Sequence, residues 1–153
     1  MGWLCLMLAA SPVADRLATS LVARPPTLKA FRLIRQSTGK LVAGIVVAWV
    51  LGGFGEEIAL RGLLLPWVER QATPWGGAVA PGMAVAAAAM VAAAAHLYQG
   101  LRGALVIGQL SILFGLLFIL DGHNLWSVIL CHGLYDTIAF VRFASGKSRY
   151  AQS

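Results

Sequence analysis

Apolar residues come in long blocks along this chain, and polar residues collect in the gaps between them. Residues 1–14, MGWLCLMLAASPVA, form the first block. It falls short of the roughly 20 residues a helix needs to cross a bilayer. It reads as the tail of a transmembrane helix begun further upstream, with a half-helix or an interfacial anchor as the other readings. No basic region precedes it, so it does not read as a secretory signal. Residues 15–40 form a polar linker that carries Arg24, Lys29, Arg32, Arg35 and Lys40, with Pro25-Pro26 breaking any helix from the first block. Over 27–36 the apolar Leu28, Phe31, Leu33 and Ile34 alternate with bases. That pattern predicts a short amphipathic helix on the membrane surface.

The later blocks predict four spanning helices. The first covers 41–65 and is closed by Pro66, with Trp67, Trp75 and Glu69-Arg70 at the far interface. The second covers 77–98; its alanine run offers Gly82, Ala86, Ala89 and Ala93 as small contacts, which predicts a central, surrounded helix. The third covers 103–120 and the fourth 125–143, joined by the turn Asp121-Gly122-His123-Asn124. The predicted fold is therefore all-α: a polytopic membrane bundle of about four transmembrane helices plus a short N-terminal apolar segment. Its parts are an apolar segment and basic linker (1–40), a helical core (41–143) and a polar, disordered tail (144–153). No internal repeat is evident.

Composition strengthens the membrane reading. The chain has 153 residues, 59% hydrophobic and 12% charged, against about 25% charged in a typical soluble domain. A formal charge of +6 would suit nucleic acid. The bases, however, stand at the ends of apolar runs, as topology signals do, and do not interleave with aromatics on a docking surface. The lipid bilayer is the expected partner, and nucleic acid is not. In a four-span topology the linker, the Arg102 turn and the tail with Lys147 and Arg149 fall on one side, and the Arg70 and Asp121 turns on the other. Positive residues favour the cytoplasm, so the C-terminus is expected there. Cys5 and Cys131 are isolated and give neither a disulfide framework nor a zinc motif.

Charges inside a membrane-length segment are costly and mark function by default. The stretch GGFGEEIALRG, residues 52–62, holds three of them. Glu57 and Arg61, four apart, share a helix face and read as a buried ion pair. Glu56 is about 100° further round and has no base three or four positions away. Its partner must come from another helix or from water, and an unpaired carboxylate there is the expected general base. His96 closes the second helix, and His132 and Asp136, four apart, share a face of the fourth. Structural readings stand beside these: His96 as an interfacial histidine bonded to a backbone carbonyl, His132 with Asp136 as a pair that joins helices, and His123 as a solvated turn residue.

Taken in order, EEIALR, AAAAH and HGLYD resemble the EExxxR, FxxxH and HxxxN/D motifs of the CPBP intramembrane proteases. That family includes the type II CAAX prenyl endopeptidases and bacterial abortive-infection and bacteriocin self-immunity proteins. The resemblance covers 41–143 and includes the stretch SILFGLLFILDGHNLWSVILCHGLYD. It implies a glutamate-dependent peptide hydrolase of the plasma membrane, in a bacterium the inner membrane, acting on a peptide or membrane-protein substrate. Glu56 with His96 would activate water, His132 with Asp136 would stabilise the oxyanion, and Glu57 with Arg61 would hold the first helix in place. No cofactor is expected. The metal alternative would use Glu56, His96 and His132 as zinc ligands, although HExxH is absent. Ala92 stands where the family usually has Phe, which reads as a packing change. Asp136 stands where the prenyl endopeptidases have Asn, whose amide can donate to an oxyanion as an ionised Asp cannot. Asp136 would then carry a proton, orient His132 or bind something else. That departure, with the short chain, favours the alternative function: a non-catalytic immunity or partner-binding membrane protein. A small transporter is a third reading, against which stands the lack of a repeat. The alanine-rich face also leaves room for a second copy, a homo-oligomer.

Overall fold

The computed structural model describes residues 2–147, and among them every regular element is helical. α1 spans Gly2–Leu21, and a 3₁₀ turn spans Lys29–Arg35. A continuous helical rod then runs over Thr38–Trp75. It comprises α2 (Thr38–Val47), π-helical segments over Ala48–Glu56 and Ile58–Leu64, α3 (Leu65–Ala72) and a closing 3₁₀ turn, Thr73–Trp75. α4 (Ala80–Ala95), α5 (Leu101–Leu120) and α6 (Leu125–Ala144) complete the bundle.

Among the described residues four helices are long and apolar enough to cross a membrane: α1, the rod, α5 and α6. The expected helical membrane bundle is there, but which helix is short differs from expectation. α1 continues seven residues beyond its apolar block, because Asp15, which looked like linker, is buried against Arg102. α4 has only 16 residues: Pro81 lies in its first turn, where a missing N–H costs nothing, and His96 caps its end. The rod also passes the predicted stop at Pro66, since that proline lies in the first turn of α3. The surface helix predicted over 27–36 is the 3₁₀ turn. Of the polar tail, residues 148–153, Arg149 among them, lie outside the described residues.

Packing follows side-chain size. α5 packs on α1 and α4, α4 on α3, and α6 on the first π segment. Gly108 of α5 lies against Ala93 and Ala89, and Gly115 against Val85, so α4 and α5 approach closely. Only one face of α4 is used. Ala88, Ala89 and Ala92 are buried, while Gly82, Ala86 and Met90 are exposed. The helix predicted to be surrounded thus stands at the edge. A shared core joins Met7 of α1, Leu65, Val85, Phe114 and Val128.

The two ends of the bundle differ in charge. At one end Asp15 meets Arg102, the Thr27 N–H donates to the Gln99 carbonyl at 2.8 Å, and Arg35 lies 5.6 Å over the Phe143 ring. The basic linker, the Arg102 turn and the end of α6 therefore share one end, as the topology reading expected. At the other end His123 meets Glu69 at 3.2 Å, so His123 is exposed yet partnered.

Candidate active site

The two glutamates sit where the rod widens from α to π geometry, with Glu57 as the joint between the two π segments. Gly52, Gly53 and Gly55 disfavour a regular α-helix there, and π turns recur at functional sites. The widening was not expected from the sequence. The Glu57–Arg61 pair nevertheless forms, with Arg61 Nη1 3.1 Å from Glu57 Oε1.

Glu57 is fully buried and serves two partners. The same Oε1 accepts from His132 Nδ1 at 2.6 Å, a bond across to α6. Arg61 Nη2 in turn donates to the Ser111 carbonyl at 2.7 Å and to its Oγ at 2.6 Å. Phe114 lies in the same cluster: its ring stacks on His132 at 4.7 Å, and the Arg61 guanidinium lies 5.6 Å from its centre. Glu57 Oε2 and Arg61 Nε have no hydrogen-bond partner within the described chain. The predicted ion pair is thus one part of a buried Ser111–Arg61–Glu57–His132 relay that ties α5, the rod and α6.

Glu56 faces elsewhere. Its Oε1 lies 3.6 Å from His96 Nε2, and its side chain is 36% exposed. Of the two partners the sequence left open, another helix or water, the structure brings His96 of another helix. His96 Nδ1 donates to the Ala92 carbonyl at 2.9 Å, the backbone bond of its structural reading, and this leaves Nε2 turned to Glu56. On α6, His132 Nε2 lies 3.5 Å from Asp136 Oδ2. Gly52 keeps that face open: a methyl group there would sit 3.1 Å from Asp136 Oδ2 and 3.5 Å from His132 Nε2.

Glu56, Arg61, His96, His132 and Asp136 line one cavity of about 860 Å³. Glu57 does not line it and lies behind His132. Among the described residues no three His, Cys, Asp or Glu side chains converge as a metal cluster. Sequence reasoning missed Ser111 and Gly52. Ser111 could have been noticed as a lone hydroxyl within an apolar run. Gly52 carried no chemical signal, since its part is to leave space.

Comparison with known families gives a match. The sequence model described as type II CAAX prenyl endopeptidase Rce1-like matches residues 38–138. No curated protein and no solved structure matches the chain. The matched residues contain the rod, α4, α5 and the part of α6 that carries His132 and Asp136.

Proposed function

Because the chain belongs to the type II CAAX prenyl endopeptidase Rce1-like family, we propose that it hydrolyses peptide bonds within the membrane using a glutamate-activated water. The observation that carries this reading is the approach of Glu56 Oε1 to His96 Nε2 in the cavity that His132 and Asp136 also line.

The hydrogen bonds suit that chemistry. With Nδ1–H given to Ala92, neutral His96 presents a lone pair at Nε2 beside the carboxylate of Glu56. Two acceptors side by side hold a water by its two O–H bonds. Glu56 takes one proton as the water oxygen attacks the scissile carbonyl carbon, and the proton then passes to the leaving amine as the C–N bond breaks. His132 Nε2 faces the oxyanion. Nδ1 already donates to Glu57, so for Nε2 to donate as well the ring must carry both protons, and the carboxylates of Glu57 and Asp136 flank that cation. This gives Asp136 a part that an amide would not play: counter-charge and orienter of His132. One such oxyanion donor supplies about 3–4 kcal/mol of transition-state stabilisation.

The proposed substrate is a peptide or membrane-protein segment, and the proposed orientation puts the basic end and C-terminus in the cytoplasm. Water activation is assigned to Glu56 and His96 without a metal. Turnover lost to a chelator and restored by zinc would replace that route with zinc held by Glu56, His96 and His132.

Terminal-peptide mass spectrometry of membranes with wild type or Glu56→Gln tests the function. New protein ends that appear only with wild type are expected, and they would name the substrates. Identical ends, with both proteins folded and equally abundant, would move the assignment to a non-catalytic immunity or partner-binding protein.

A further inference from the structure

The cavity has a second end that the chemistry leaves unused. Gly44 lies against Phe140 where α2 passes α6. Lys40, one turn before Gly44, and Arg142, two residues after Phe140, therefore lie at the same end of the bundle, and both line the cavity. Arg142 follows His132 by ten residues, which is about 15 Å along a helix. The lining of the cavity is mostly apolar, with Leu8, Ile34, Val47, Leu51 and Phe140 among its residues. The volume, about 860 Å³, is of the size that holds a whole small ligand.

Among the described residues at that end Asp15 is acidic, and Arg102 holds both of its carboxylate oxygens, so the charge left over is positive. Lys40 gives one N–H to Gln36 and has two more to offer. Lys40 lies just after Ser37, the cap of α2, and Arg142 just before Ala144, where α6 ends. Both therefore stand near the ends of helices long and apolar enough to span a membrane, the level at which lipid phosphates would lie.

We infer that this basic-mouthed channel binds an anionic phospholipid, with its phosphate between Lys40 and Arg142 and an acyl chain along the apolar wall. Basic pockets between membrane helices select such headgroups. An acyl chain needs no hydrogen-bond partner from an apolar wall. The occupant would reach the level of His132, so lipid and substrate would compete for the channel.

The test is lipid titration of the purified protein in zwitterionic detergent, read by native mass spectrometry. It compares phosphatidylglycerol with phosphatidylcholine of the same acyl chains. Wild type should retain phosphatidylglycerol at concentrations at least tenfold lower, and Lys40→Gln with Arg142→Gln should abolish that preference. Lys29→Gln with Lys147→Gln removes two bases at the same end that do not line the cavity, and should leave the preference intact. All four side chains are exposed, so neither pair of changes touches the core. No preference in wild type, or equal loss in the two double variants, would overturn the site. Displacement by glycerol phosphate alone would overturn the acyl-chain part. An apolar peptide that binds through its free C-terminal carboxylate, and that phosphatidylglycerol cannot displace, would give the mouth to a peptide end and overturn the lipid assignment.

Discussion

Two carboxylates joined by one peptide bond meet different surroundings here, and their replacement should separate them. Glu57 is buried between Arg61 and His132. Glu57→Gln strands Arg61 and should lower stability by about 3 kcal/mol or more, measured by denaturant unfolding in detergent. Glu56 is partly exposed and 3.6 Å from its histidine, so Glu56→Gln should stay within about 0.5 kcal/mol of wild type. The reverse order would undo the assignment of roles. The Glu57–Arg61 pair was legible, because spacing along one helix sets it. The bond from His132 to Glu57 was not, since it joins residues 75 positions apart and depends on how α6 crosses the rod. Ser111 was hidden for the same reason: no spacing rule connects it to an arginine 50 positions earlier.

Among the elements, the rod and α6 are fitted through glycine. A methyl group on Gly133 would lie 2.5 Å from the Trp49 indole, whose N–H donates to Thr137 Oγ1 at 3.0 Å. Gly133→Ala should therefore cost about 1–3 kcal/mol through overpacking and shift the fluorescence of the displaced tryptophan. Trp49→Phe in the same chain should recover part of the loss; no recovery would mean that the strain lies elsewhere. The order and number of helices were legible from the apolar blocks. The π geometry was not, because hydrophobic periodicity presumes 3.6 residues per turn. Nor was the continuation through Pro66, which reads as a stop unless the preceding turn is known to be wide.

Across the whole molecule, α1 closes one side of the cavity and is fastened to α5 by polar bonds. Asp15 pairs with Arg102 at 2.8 Å, and Gln109 donates to the Ala14 carbonyl at 3.2 Å. Asp15→Ala breaks a buried pair and should cost about 3–5 kcal/mol, with faster amide hydrogen exchange concentrated in α1. Unchanged protection would mean that the apolar face alone holds the helix. The segregation of bases to one end was legible, because charge in short loops reports topology directly. The length of α1 was not, because Asp15 reads as a linker residue until its partner is known. That partner is 87 residues away, and the separation has a temporal meaning. At about 5–20 residues per second, Arg102 leaves the ribosome roughly 4–17 s after Asp15. The bond from α1 to α5 therefore forms late, and the wall that α1 makes is bolted to α5 only after Arg102 has emerged.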